Sequence, residues 1–347
     1  MYHKSLAITL LLCFGVFLGC AKQAAPPKQA PIQPGDAVRK DYSSRKDMVQ
    51  ITGLRVPEDL PNIVRKTNLS SKRLAAGAST SAANPVLRAA INHPAFCDAE
   101  AEVVDFRTLG LVSPIKDQNV DSNNNPVECG SCWAFATNAV VESSYLALRK
   151  ENINASEQEL ISCSSAGSCE GGWWAFDFLW RPGIESGINY KYDGKDSPCR
   201  TPINVEFRVV QTGYVSQAVR NAEDLIPSDS ELKSAMCQHG PLAVGINATP
   251  AFVLFGAEQH DAQSVFSEKD SGYPNHAIVL VGWNRNGWII KNSWGPGWGQ
   301  NGFAIVKYGS NSVGLGAAWA EAWPKDYVLS PSIRNIITNA TKETAKE

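Results

Sequence analysis

The sequence predicts an α+β protein of two packed lobes, helical in the N-terminal half and antiparallel β in the C-terminal half. Three observations predict it. Between residues 132 and 150, Phe135, Ala139, Val140, Tyr145, Leu146 and Leu148 recur near a 3.6-residue period, the spacing of a mostly buried helix. Residues 277–283, 287–292 and 302–307 are short apolar runs separated by Gly and Asn turns, the pattern of antiparallel strands. The 347 residues are 44% apolar and include ten Trp, enough to bury a sizeable core. Helices grouped apart from strands pack as separate lobes, and the cleft between lobes is the natural place for a site.

Taken from the N-terminus, Lys4 precedes an apolar run from Leu6 to Gly19. That run is shorter than the roughly 20 residues that cross a bilayer and has the layout of an export signal, assigned to residues 1–20. Phe17-Leu18-Gly19-Cys20 resembles the lipobox of bacterial lipoproteins, which implies an acylated Cys20 at the new N-terminus. Gly19-Cys20-Ala21 also has the small-x-small form of ordinary signal cleavage, after Ala21. Either route removes Cys13.

Residues 21–96 read as a Pro-rich tether and possible propeptide. Pro26, Pro27, Pro31 and Pro34 keep the first part extended. Residues 37–96 are polar and weakly periodic, with a Ser/Ala-rich stretch from Ser70 to Asn84 expected to be mobile and open to proteolysis. No domain is expected there. From Cys97 the texture turns dense in aromatics, Gly and Cys, so 97–329 is the folded unit and 330–347 a frayed polar tail. Within it, Ser156-Glu157-Gln158-Glu159 has the spacing of a capping box and predicts a second helix before Cys163.

Charge excludes some functions. The 32 basic and 34 acidic residues are scattered and sum to −2, so no broad basic field exists for nucleic acid or anionic lipid. The chain is expected to be a monomer that meets a membrane only through an N-terminal lipid.

Of nine Cys, setting aside Cys13 and Cys20 leaves seven. In an oxidising compartment six can close three disulfides, and the surviving thiol of an exported protein is a candidate nucleophile. Cys129-x-x-Cys132 alone fits a redox pair or half of a zinc site. No second such pair and no thioredoxin-like βαβ pattern accompany it.

The longer stretch Cys129-Gly130-Ser131-Cys132-Trp133-Ala134-Phe135 resembles the nucleophile motif of the papain and cathepsin family of cysteine peptidases. At a helix N-terminus Cys132 meets a partial positive charge that favours its thiolate. An imidazole must complete the ion pair and protonate the leaving amine. Of five His, His276 fits best: it opens the expected strand Asn275-His276-Ala277-Ile278-Val279, which resembles the family's histidine motif. It lies 144 positions after Cys132, within the roughly 130–150 typical of the family.

Lys291-Asn292-Ser293-Trp294-Gly295 resembles the family's asparagine motif, which implies that Asn292 orients the imidazole and Trp294 covers that bond. Lys116-Asp117-Gln118 resembles the segment that supplies an oxyanion-hole glutamine, here Gln118. The spacing departs from the family pattern, since 120–127 reads as an Asn-rich insertion beside the cleft, with Asp121–Asn125 able to reshape substrate access.

Cys169-Glu170-Gly171-Gly172-Trp173-Trp174 resembles the family's glycine segment. The resemblance implies that Gly171 and Gly172 pair with an extended peptide. It also implies that Trp173, Trp174, Gly245 and Ala277 border an apolar pocket for the second residue before the scissile bond. The family pattern further implies Cys129–Cys169 and Cys163–Cys199 bridges, which leaves Cys97 with Cys237. Single motifs have blander explanations, since a His entering a strand, an Asn-Ser-Trp-Gly turn, paired Gly and core Trp all occur without chemistry. Their joint order, from glutamine to asparagine, is what favours a cysteine peptidase acting on peptide or protein substrates, needing no metal or cofactor, in the cell envelope or secreted. The rival is a silent binder on the same fold. Residues 37–96 are either an inhibitory prosegment across the cleft or a spacer.

Overall fold

The computed structural model describes residues 52–78, 93–180, 183–202, 204–216, 223–257, 264–269 and 272–323. All lie within the unit spanning residues 34–347. The signal, Cys20, the Pro-rich tether and the polar tail fall outside the described residues.

In chain order the helices and strands that matter are α1 (Leu60–Ala78), β1 (Val104–Asp105), α2 (Cys132–Arg149), α3 (Glu157–Cys163), β2 (Gly167–Ser168), β3 (Gly171–Gly172), α4 (Phe176–Trp180) and β4 (Val209–Tyr214). They continue through α5 (Asp229–His239), β5 (Leu242–Ile246), α6 (Pro250–Ala257), β6 (Val265–Phe266), β7 (His276–Asn284), β8 (Gly287–Lys291), β9 (Phe303–Val306) and β10 (Leu315–Ala322). The strands β7, β8 and β9 fall where alternating apolar runs and Gly/Asn turns put them. The C-terminal half also carries the helices α5 and α6.

The main sheet runs β4-β10-β5-β7-β8-β9-β6, with β1 also on β7, and its pairs are antiparallel apart from β6–β9. Its register positions the site. Ile246 lies opposite His276 and Gly245 opposite Ala277, while the β7–β8 pair brings Val279 against Lys291. The residues just after β8 therefore come level with the start of β7.

Two cores flank this arrangement. One gathers around α2, with Trp133, Tyr145 and Leu160 fully buried. The other fills the β side with Trp283, Trp288, Trp298 and Phe252. Apolar area of this size supplies the main favourable free energy of folding.

Residues 60–78, inside the weakly periodic segment where no separate domain is expected, form a 19-residue helix. Its buried face is a narrow stripe at four-residue spacing, Leu60, Val64 and Asn68, which the surrounding Ser and Lys dilute in the sequence. The helix lies on β4, a terminal strand of the sheet path. Asn68 donates from Nδ2 to Ser216 O and accepts at Oδ1 from Tyr214 N, both at 2.9 Å, and the Ser71 hydroxyl donates to Thr212 O. Backbone groups of β4 thereby gain the partners that an unpaired strand edge leaves open.

Candidate active site

Helix α2 starts at Cys132, so the thiol sits in the first helical turn, where unpaired N–H groups converge. Cys132 is fully buried and is the free thiol among the described cysteines. The other six form Cys97–Cys237, Cys129–Cys169 and Cys163–Cys199. Because Cys129 is bridged elsewhere, Cys129-x-x-Cys132 is not a redox pair here. Among the described residues, no group of three His, Cys, Asp or Glu side chains is arranged to hold a metal.

The sulfur accepts the Gly53 N–H at 3.3 Å. Burial pushes the thiol up to about 11, against the main-chain N–H groups of Ala277, Gly53, Trp133 and Cys132 that favour its charged form. Contact with the Ala277 N–H ties this sulfur to the first residues of β7, where His276 stands.

His276 is fully buried. Its Nε2 and Asn292 Oδ1 are 2.8 Å apart, and the same oxygen accepts the Ser293 N–H at 2.8 Å. An amide oxygen only accepts, so Nε2 carries the proton and Nδ1 keeps its lone pair. Nδ1 has no hydrogen-bond partner among the described residues. The ring stacks on Trp294, centroids 4.4 Å apart. Burial pushes His276 down to about 4, against the Asn292 bond that favours its proton.

Gln118 is buried beside these residues. Its N–H donates to Ser293 O at 2.8 Å, its Oε1 accepts the Ser293 hydroxyl at 2.7 Å, and its Nε2 donates to Cys129 O at 3.3 Å. The residues 120–127 close on themselves. Val120 bridges Pro126, Asp121 Oδ1 caps the N–H groups of Asn123 and Asn125, and the Ser122 N–H reaches Tyr192 O.

Gly171 and Gly172 form β3. The Gly172 N–H donates to Gly53 O at 2.8 Å and its carbonyl accepts from Arg55 N at 2.9 Å, while Leu54 N donates to Asn275 O across the cleft. Close approach explains the glycines. A Cβ on Gly171, at φ +117°, would meet Gly53 O at 2.8 Å, and one on Gly53 would lie 1.8 Å from Gly130 O. Leu54 is buried, and its Cδ2 lies 3.0 Å from where a Gly245 Cβ would stand. Trp173 and Trp174 are buried too, donating from Nε1 to Tyr214 OH and Gly316 O. With Pro57, Ile63 and Thr67 they line a cavity of about 260 Å³.

Four residues that sequence reasoning missed complete the surroundings. Lys116 Nζ donates to Glu142 Oε1 and Glu157 Oε1, each at 2.6 Å, and to Ala155 O at 3.2 Å. Burial opposes its charge, yet Glu142 and Glu157 hold it above the lysine range. The legible signal was Glu142, the one acidic residue of a mostly buried helix. Tyr192 donates its hydroxyl to Gln118 O at 2.8 Å. No sequence pattern marked it.

A profile described as papain family cysteine protease matches residues 100–321, most of the chain. The chain belongs to the papain family. Among papain-family relatives, mouse pro-cathepsin H is 32% identical over 225 residues, 62% of this chain and 62% of its own length. Digestive cysteine proteinase 1 of Homarus americanus is 30% identical over 230 residues, 62% of this chain and 65% of its own. The chain thus spans a little under two thirds of these two relatives. Germination-specific cysteine protease 1 of Arabidopsis thaliana is 31% identical over 290 residues, 79% of this chain and 72% of its own. A solved cysteine protease of Carica candamarcensis, complexed with E-64, superposes with a TM-score of 0.53 at 24% identity, covering 64% of this chain and 98% of that one. It supports the papain-like α+β fold.

Proposed function

We propose that the chain is a cysteine peptidase cutting peptide or protein substrates, with Cys132 as nucleophile, His276 as its base and acid, Asn292 as the ring's orienting group and Gln118 in the oxyanion hole. One observation carries the assignment: a reduced, unbridged thiol at a helix N-terminus lies against the start of the strand that opens with His276, whose Nε2 is fixed by Asn292 and whose Nδ1 keeps its lone pair. In the forward step the thiol proton passes to His276 Nδ1 and the sulfur attacks the carbonyl carbon. The oxyanion is met by the Gln118 Nε2–H and the Cys132 N–H, and the imidazolium returns its proton to the leaving amine. Water, deprotonated by His276, then releases the acid and the thiol.

Residues 52–55 are read as part of an inhibitory prosegment within 21–96, followed by a peptidase domain at 97–329 and a tail at 330–347. Gly53 and Arg55 take the main-chain groups of Gly172, and Leu54 sits by Gly245, so the segment occupies the place expected of a substrate. It also keeps both reacting groups dry, and a dry thiol and imidazole stay neutral. Leu54 against Gly245, which pairs with Ala277, supports a preference for apolar side chains, while Trp173 and Trp174 line the cavity beside Pro57 and Ile63. Export through residues 1–20, with acylation of Cys20 and residence in the cell envelope, belongs to the same reading. The intact mass of the exported protein tests it: a start at Lys22 without added lipid mass removes the anchor.

Alkylation of the unreduced full chain tests the mechanism. Among the seven Cys from Cys97 to Cys237, iodoacetamide should label Cys132 alone, and His276→Ala should slow it. Hydrolysis of a peptide amide with an apolar second residue should fall at least about 10³-fold in Cys132→Ala. Labelling of Cys129 as well, or full hydrolysis by Cys132→Ala, would sink the assignment.

A further inference from the structure

We propose that Tyr192 is a positioning residue for the oxyanion hole, its phenol tying the Gln118 main chain to the residue just before the nucleophile. The inference rests on the peptidase reading and on Gln118 serving the oxyanion.

The phenol sits between two segments. It donates to Gln118 O at 2.8 Å, which uses its single proton, so at the second contact, Ser131 Oγ at 2.8 Å, it accepts. Both partners are fully buried, so losing either bond removes a partner that bulk water does not replace. The ring is held by an edge-to-face contact with Phe135 at 5.1 Å, and the Tyr192 carbonyl accepts the Ser122 N–H. The residues 120–127 thereby brace Tyr192 instead of hanging free.

An independent observation concerns Ser131. It occupies the N-cap of α2, where a serine oxygen ordinarily accepts a first-turn N–H, yet its side chain makes no such cap. The hydroxyl points to Tyr192, with Cys129 O a longer alternative at 3.4 Å. The Trp133 N–H, which a normal cap could take, faces the sulfur instead. Tyr192 thus does two things with one oxygen. It anchors the backbone that carries the Gln118 amide, and it holds the Ser131 hydroxyl away from the Trp133 N–H that faces the nucleophile.

A double-mutant cycle on the full chain tests this, with kcat and KM for an apolar peptide amide measured on it and on whatever it processes itself to. Tyr192→Phe keeps the ring and removes both bonds. It should lower kcat about tenfold with KM little changed, because donors aimed at the oxyanion act in the transition state. In a Gln118→Ala background the same change should have almost no further effect, whereas a purely structural role would cost the same factor in both. Equal loss in both backgrounds, or none in either, overturns the proposal. Should Tyr192→Phe not fold, Ser131→Ala breaks one of the same bonds and must give the same non-additive pattern. Gln118→Ala with unchanged kcat removes the oxyanion assignment and the proposal with it. Absence of turnover by the wild-type chain in either form overturns the peptidase reading instead.

Discussion

Lys116 lines the same small cavity as Ala277 and Asn292, yet its charge cluster and the Cys132–His276 pair meet burial in opposite ways. Lys116 keeps its charge because two carboxylates and a carbonyl surround its ammonium. Cys132 and His276 have polar neighbours but, among the described residues, no opposite charge placed on them, and burial drives both neutral. Burial alone does not decide whether a group is charged; the partners supplied on site do. The charged cluster is built to last through folding, while the neutral pair waits for water or substrate.

The largest test of that contrast removes the cation. Lys116→Met leaves Glu142 and Glu157 buried together without the ammonium that both contact, with only the more distant Lys291 as a cation nearby, and the full chain should lose about 3–5 kcal/mol in urea unfolding. A loss below about 1 kcal/mol would mean the cluster is not a compensated one.

The neutral pair should show itself through pH. His276 in the folded chain resists a proton that the unfolded chain takes up near its ordinary value of about 6.5. Stability contributed by the neutral ring is therefore present above that value and is lost as pH falls toward about 4, where the folded ring also protonates. The full swing is about 3 kcal/mol. Urea midpoints at pH 7 and pH 4.5 for the wild type and for His276→Gln isolate it, since carboxylates titrate in both. Parallel pH dependence in the two proteins would count against the buried neutral ring.

Much of this was legible because it rests on local pattern. Helix α2 announced itself by its period, β7 to β9 by alternation between turns, and the residues at Cys132, His276 and Asn292 by motifs whose chemistry demands those types. What stayed hidden depends on contacts between distant segments. Helix α1 is stabilised by laying Leu60, Val64 and Asn68 on β4, and nothing within residues 60–78 names that partner. Gly53, in a stretch without evident pattern, is fixed by how closely it passes Gly130. Tyr192 and Lys116 bond across 74 and 26 or more positions, where no periodicity reaches.

A smaller test asks whether the neutral pair depends on its cover. In Gly53→Ala the new Cβ would fall on the Gly130 carbonyl, with backbone on both sides and nothing flexible to give way. Overpacking of this kind costs about 1–3 kcal/mol, so the covering segment should be displaced more often. Iodoacetamide labelling of Cys132 at pH 7 should quicken by roughly tenfold. An unchanged rate would mean that residues 52–55 do not control the thiol.

The smallest test perturbs the charged side and watches the neutral one. Ser156 caps α3, accepting the Glu159 N–H at 3.0 Å, and so fixes the turn that aims Glu157 at Lys116. The reciprocal half of the expected capping box is absent: the Ser156 N–H goes to Glu185 O, and the Glu159 carboxylate takes the Glu185 N–H instead. The serine hydroxyl also donates to Tyr190 O at 2.6 Å, so Ser156→Ala removes the cap and a second buried bond and should cost about 2 kcal/mol of stability. Labelling of Cys132 should not change, because the cap touches the cluster and not the thiol. If the labelling rate moves with the cap, the two buried systems are coupled through the packing around Lys116 and Asn292, and the contrast between them is one of degree.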